Sequence, residues 1–447
     1  MATRLLQTLK LRRVSRYRWP LVITAILSIT AVFSLPPLVD VVNPALPLAA
    51  TMREPPLYDL IAPASSVLDA ITLLSPAQYW ATFALCALCF AGVVTAGERR
   101  ALGRVSVART ARFALRLLGG TLAALGIMLI LPRPMASLAL HDPDLIAVDF
   151  HSHTEASHDG RPGFSAERNR EWHRSSGFDA VYVTDHQTFD GALSGEARNP
   201  ATVGETTIIL PGVELRDSGE HLILIGVDPR RMKISSPDWQ GAAVQADGGP
   251  APPILLLSLP GNITRIPNEE IAGPIKVGGI EASDGSPRGL AQAAIQRDSI
   301  LALGSRLGIA LVSGSDNHGW GRAAPAWSVL RIAGWRRMSP AQLDVSIRQT
   351  ILTRRGHAVQ VIARRAAVPG RGSVRAALGG FAVGLMMMRT LSSRERLSWL
   401  VWAWGICLLS LRRAGGNRGR PGARHRQRMK RQARPALVDA AAMQAAS

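Results

Sequence analysis

The sequence predicts an α/β domain, a parallel sheet or small barrel, inserted between transmembrane helices. Three observations predict it. Long apolar runs flank a central stretch of mixed polarity. Within that stretch strand-like and helix-like patterns alternate. The basic excess lies at the ends of the apolar runs rather than along the whole chain. With 447 residues, 47% of them hydrophobic, the chain has enough apolar material for two or three domains of roughly 150 residues and is no disordered polypeptide.

The net charge is +20, from 52 Lys and Arg against 32 Asp and Glu. Residues 1–18 carry six cations and no acid, 98–112 carry five Arg and one Glu, and 412–434 carry nine Arg and one Lys with no acid. These three blocks account for the entire excess, and each abuts an apolar run. They therefore report orientation in a bilayer rather than a nucleic-acid surface. The basic tail, 412–447, has His425 but no aromatic residue on which bases could stack, and a juxtamembrane Arg cluster suits anionic lipid.

The segments Trp19–Val39, Gln78–Gly97 and Phe113–Leu131 each approach the ~20 residues that cross ~30 Å of hydrocarbon. They are apolar around the whole circumference, and their one charge, Arg116, lies within a turn of an end, where it can snorkel. Three spans over 19–131 are expected. The basic N-terminus and the 98–112 loop would then be cytoplasmic, and the 40–77 loop and everything after Leu131 would lie outside. Ala376–Met388 and Leu397–Leu411 are apolar but short; one crossing there returns the basic tail to the cytoplasm, giving four spans in total. Cys86, Cys89 and Cys407 all lie in apolar runs, where they read as small apolar filling rather than a metal or disulfide pair.

The insert, 140–365, carries strand signals at Leu145–Phe150, Ala180–Thr184, Thr206–Leu210, Leu222–Val227, Ile254–Leu259, Val277–Glu281 and Ile309–Val312. Helical patterns occupy Ser165–Ser175 closing at Gly177, Ala291–Leu307 closing at Gly308, and Pro340–Thr353. The residues that follow the strands carry the chemistry. The first strand ends in Asp149-Phe150-His151-Ser152-His153 and runs on to His158-Asp159-Gly160. The second leads to Asp185-His186 and the third to Gly212-Val213-Glu214. His221 opens the next, and the last leads to Asp316-Asn317-His318. In an extended strand His151 and His153 point to one side, and Asp316 and His318 repeat that spacing. Imidazoles and carboxylates gathered at strand ends are the ligands of Zn, Mn or Fe(II), and a set of this size can hold more than one ion.

DFHSHTEASHDG, VTDH, GVE, the following His221 and SDNHGWG resemble the successive motifs of the polymerase and histidinol phosphatase (PHP) family of metallohydrolases over about residues 145–365. The resemblance implies a distorted seven-stranded, TIM-like β/α barrel and metal-dependent hydrolysis, most often of a phosphoester. It implies that His151, His153, Glu214 and Asp316 bind one ion, with Glu214 bridging, and that Asp159, His186 and His318 bind a second, with His158 a competing candidate. The family usually has a His before Pro-Gly in a middle strand, where this chain has Leu259-Pro260-Gly261. Two metals are therefore expected, with His221 a weak ligand or a hydrogen-bond partner of a ligand. Glu281, in GIEASDG, is expected to be structural.

The resulting expectation is an integral protein of a bacterial-type inner membrane with an extracytoplasmic hydrolase domain. A water shared by two cations, its pKa lowered toward neutrality, would attack a small-molecule or nucleotide-like phosphoester. Asp185 is a candidate carboxylate behind the ligands, and Arg288 and Arg322, with Arg161 and Arg216, are candidate phosphate clamps. Two alternatives remain open: hydrolysis of a carboxyl ester, carbamate or amide by the same centre, and a silent sensor that binds without turnover.

Overall fold

The computed structural model describes residues 17–102, 107–130, 133–217, 220–235, 238–247, 249–258, 275–366 and 373–416. The chain divides into two compact units. The smaller joins Met1–Val32 to Ser393–Ser447. In it the helices Arg18–Val32 and Ser393–Gly416 are held together by the Arg396 guanidinium, which donates to Leu27 O at 3.0 Å and Thr30 Oγ1 at 3.1 Å, and by Trp404 Nε1 donating to Thr24 Oγ1 at 3.1 Å.

The larger unit, Phe33–Ser392, contains the sheet. Its strands are β1 (Leu38–Asp40), β2 (Ala50–Arg53), β3 (Ser137–Leu140), β4 (Leu145–Ser152), β5 (Ala180–Val183), β6 (Ile208–Asp217), β7 (Glu220–Ile225), β8 (Ile254–Leu257), β9 (Lys276–Asp284), β10 (Ala310–Gly314), β11 (Ala326–Arg331) and β12 (Val359–Arg364). Ten of them form one sheet in the order β1-β12-β11-β4-β5-β6-β7-β8-β9-β10, and β2 pairs with β3 separately. The sheet curls so that its last strand returns to its middle: Ser313 N donates to Ser328 Oγ at 2.7 Å, and Asp316 N donates to His151 O at 2.8 Å.

All seven expected strands are present, but the sheet is a ten-stranded mixed one, not a seven-stranded parallel barrel. The pairs β4–β5, β5–β6, β8–β9 and β9–β10 are parallel, whereas β6–β7, β7–β8 and the pairs on the β11 side are antiparallel. For β6 and β7 the reason is connection length. β6 ends at Asp217 and β7 starts at Glu220, and so short a link makes a hairpin, since a parallel return needs a crossover of a dozen or more residues. Helix boundaries follow the local signals closely. Ser165 caps Ala166–Ser176 and Gly177 ends it at φ 85°; Ser286 caps Pro287–Leu307 and Gly308 ends it at φ 61°.

One core gathers alternate residues of the central strands, among them Ile146, Val148, Phe150, Tyr182, Ile208, Ile223, Ile254 and Val312, and packs them against Leu343, Ile347 and Ile351 of helix Pro340–Arg354. The segment before the apolar helices belongs to the same unit. β1 adds to the sheet edge beside β12, and buried Asp69 accepts from Tyr58 Oη at 3.0 Å, from Arg364 Nη1 at 2.6 Å and from Arg133.

Of the apolar runs, Pro76–Gly97, within helix Pro76–Leu102, is long and apolar enough to cross a membrane. The expected 19–39 span forms a helix of only 15 residues, Arg18–Val32, after which the chain turns into β1. The 113–131 run forms most of helix Val107–Ile130, and residue 131 lies outside the described residues. Leu378–Thr390 is too short to span, and the 397–411 run falls within the 24-residue helix Ser393–Gly416. The tail beyond residue 416 and Leu259 also lie outside the described residues.

Asp179 joins two strands by accepting from Ala147 N at 2.9 Å, and burial raises its pKa to about 6. A carboxyl raised in the folded state favours folding while protonated, so this contribution is present below the unfolded value near 4 and is lost as pH rises through about 6. Asp179→Asn keeps the acceptor. It is expected to flatten the fall in stability between pH 4 and 6.5 and to gain about 2 kcal/mol at pH 7, measured by urea unfolding at both pH values.

Candidate metal centre

The carboxyl ends of β4, β5 and β10, together with β6 and the start of β7, bring the expected ligands to one point. His151 Nε2 lies 3.0 Å from His153 Nε2 and 3.2 Å from Glu214 Oε2; His153 Nε2 lies 3.2 Å from both Glu214 Oε2 and Asp316 Oδ1, and His151 Nε2 to Asp316 Oδ1 is 3.5 Å. Four donors held ~2.1 Å from one tetrahedral ion stand ~3.4 Å apart, so these separations match a shared cation. Glu214 continues into the second group: its Oε2 is 3.2 Å from His186 Nδ1 and its Oε1 is 2.6 Å from His221 Nδ1. Asp159 lies 3.5 Å from His186 Nε2 and 3.2 Å from His318 Nε2. His318 Nε2 is buried yet makes no aligned hydrogen bond, an orphaned donor atom that a cation would satisfy. The residues present thus fit divalent metal binding, and a donor set of nitrogen and oxygen without sulfur is of the kind that Zn, Mn or Fe(II) takes.

All eight expected metal residues fall in this cluster. His158, at 76% side-chain exposure and 3.9 Å from Asp159, lies near enough to Asp159 and His186 to share a cation with them and stays a competing ligand. His221 holds the far oxygen of Glu214 and so orients the shared carboxylate. Asp185 is fully buried, and both its oxygens are taken by Thr154, from its N at 2.6 Å and its Oγ1 at 2.8 Å. These bonds tie it, as a carboxylate behind the ligands, to the loop after β4. Arg288 and Arg322 line the cavity of about 770 Å³ over the cluster. Arg216 is exposed on β6 and does not line it, and Arg161 stacks on Trp320 at 5.0 Å.

Electrostatics explain how so many ionisable groups share one buried site. Burial pushes Glu214 and Asp316 up, but the surrounding imidazoles more than offset it and hold both well below the usual carboxylate range. Burial pushes His151 and His153 down, but the carboxylates around them win: His151 ends well above the ordinary histidine value and His153 at about 9. Burial lowers His186 to about 4, so that ring is a neutral ligand at pH 7. Without a cation the site draws protons in; with one, the cation takes their place.

The partners of several supporting residues escaped the sequence reading. Glu281 Oε1 is 2.9 Å from His151 Nδ1; the carboxylate accepts that N–H and leaves Nε2 free to ligate. Asp149 accepts from His151 N at 3.1 Å, Ser315 N at 3.0 Å and His173 Nε2 at 2.7 Å, fixing the ends of β4 and β10 against helix Ala166–Ser176. Its spacing of two from His151 was a signal; His173, a lone histidine on a helix, offered none. Gly314 is required here, since a Cβ would sit 2.2 Å from Glu281 Oε1 and 2.5 Å from His151 Cβ. Asp316 has φ 45°, a left-handed conformation that a ligand holds only because its surroundings impose it.

No protein-family model matches the chain, and no curated protein matches it. Among solved structures, PsfC from Pseudomonas syringae PB-5123 aligns with 53% of this chain and 97% of its own at 17% identity and a TM-score of 0.36. A two-domain protein from Bacteroides vulgatus containing a predicted PHP-like metal-dependent phosphoesterase aligns over 52% of this chain and 69% of its own, at 13% identity and a TM-score of 0.33. A lesion-specific endonuclease from Pyrococcus furiosus aligns over 48% and 57%, at 15% identity and a TM-score of 0.33.

Glu281→Gln is expected to weaken Zn or Mn binding by roughly 10- to 100-fold while the fold persists, measured by calorimetric titration alongside circular dichroism. Because His153 keeps its proton up to about pH 9 when no cation is present, ligation must expel it. Metal affinity should therefore rise at least tenfold per pH unit between pH 7 and 9, His151 adding to the slope; a flat profile would contradict the ligand assignment.

Proposed function

We propose that the protein is a metal-dependent phosphoesterase. The observation that carries this reading is the pair of donor groups sharing Glu214 at the floor of a cavity whose wall presents Arg288 and Arg322. Bound divalent cations would neutralise a phosphoryl group and activate a water toward it. His151, His153, Glu214 and Asp316 would hold one ion, and Asp159, His186 and His318, with Glu214 shared, the other. The chain's own residues supply the rest. Arg288 and Arg322 bring cationic donors to a phosphate, and Glu281 and His221 fix the rotation of a ligand ring and of the shared carboxylate. Two guanidinium groups beside the cluster favour a phosphoester over a carboxyl ester, carbamate or amide, none of which carries a compensating negative charge. A silent binding module would have no need of the full ligand set.

We further propose that helices Pro76–Leu102 and Val107–Ile130 together anchor the protein in a membrane and that the hydrolase unit faces away from the cytoplasm. The basic block at 98–112, between the two helices, supports that orientation.

Purified full-length chain should hold close to two divalent ions and release aryl alcohol from an aryl phosphate only when they are present. His151→Ala combined with Asp316→Ala is expected to lose at least one ion and to lower kcat/KM by 10³-fold or more, as roughly expected for losing a metal's charge stabilisation. Metal analysis and turnover of aryl phosphate against aryl ester check this. Unchanged turnover in the double variant, or turnover of the ester alone, would overturn it.

A further inference from the structure

The cavity over the cluster has two chemically different walls. One holds the ligands with Arg288 and Arg322; another is formed by Ile71, Leu74, Tyr79 and Leu290. Tyr79 lies in the first turn of helix Pro76–Leu102, whose Pro76–Gly97 portion is long and apolar enough to cross a membrane. Next to it Trp80 is 60% exposed, and Trp320, on the cavity rim, is also 60% exposed. Tyr and Trp at the head of an apolar helix are the side chains that settle at a water–lipid boundary. Ile71, Leu74 and Tyr79 thus carry the apolar lining of the cavity to the first turn of that helix. A small polar phosphoester would leave Ile71, Leu74 and Leu290 facing water, whereas an alkyl chain lying along them would be desolvated together with them.

We propose that the substrate is an amphiphilic phosphoester, a phosphate headgroup on an alkyl or acyl chain. The phosphate sits against the ligand cluster and Arg288 and Arg322, and the chain lies along Ile71, Leu74 and Tyr79. This rests on the phosphoesterase reading. In the reaction the oxygen of water bonds to phosphorus, and the P–O bond to the lipid alcohol breaks with its electron pair leaving on that oxygen. The alcohol oxygen takes up a proton and the water gives one up, so the products are the free alcohol and phosphate.

The test uses the full chain in dodecyl maltoside, which carries no phosphate, loaded with manganese, and measures phosphate release from ethyl, butyl, hexyl and octyl phosphate as monomers. If the apolar lining reads the chain, kcat/KM should rise by a few-fold per methylene at first, and at least tenfold from ethyl to octyl. Leu74→Gln should flatten that slope, with metal content reporting that the site has formed. Phosphatidate in the same micelles, compared with glycerol phosphate, separates a membrane lipid from a free headgroup, and the lipid should be favoured. Equal kcat/KM across the series, or preference for the chainless esters, overturns the inference and leaves the phosphoesterase reading standing. Release from none of these compounds, nor from aryl phosphate, overturns both.

Discussion

One buried carboxylate organises the centre. Glu214 lies 3.2 Å from ring nitrogens of His151, His153 and His186 and 2.6 Å from His221. Ionised and almost wholly withdrawn from water, it is tolerable only because positive or hydrogen-bonding groups surround it on every side. Those groups come from β4 and the residue after it, from the loop after β5 and from β7, so the demand of this single charge is met only when the strands are in their observed order. The hairpin between β6 and β7 is what puts His221 beside the second oxygen. The parallel pairing of β5 with β6 is what puts His186 beside the first.

Around that carboxylate the protein spends several other buried polar groups on orientation rather than ligation. Glu281 sets the His151 ring, Asp149 ties two strand ends to a helix, and Asp185 pins Thr154. Asn169 donates to Ser152 Oγ and His153 O at 2.8 Å each. The left-handed Asp316 is supported in the same way, by its own N–H on His151 O. Ligand placement to a few tenths of an ångström requires such support, because each ring and carboxylate would otherwise rotate away from the common point.

Much of this was legible in the sequence, and the rest was hidden for physical reasons. The seven central strands stand out because they are buried on both faces and read as unbroken apolar runs, and the ligands stand out because they follow those runs. Strands β11 and β12, Ala326–Arg331 and Val359–Arg364, are mixed in character and gain their identity from pairing with each other and with β4. β1 begins inside the expected 19–39 span and β2 sits in the 40–77 stretch expected as a loop; only the distant partners β12 and β3 make them strands. Glu281 meets His151 across 130 residues of chain, a contact no local pattern encodes. The apolar runs were visible as composition, but composition does not fix where a helix stops, and Arg18–Val32 stops short because the residues after it are drawn into the sheet edge.

The ion pairs of Asp69 carry a consequence for how the chain can thread a bilayer. Asp69 precedes helices Pro76–Leu102 and Val107–Ile130, Arg133 follows them, and the two side chains touch. The chain's points of departure and return are therefore on one side of any membrane that these helices meet. Between them the number of crossings is even, two or none, and a single pass is forbidden by the salt bridge alone. The two helices act as one reversible detour from a folded unit, closed at its base by a buried pair of charges.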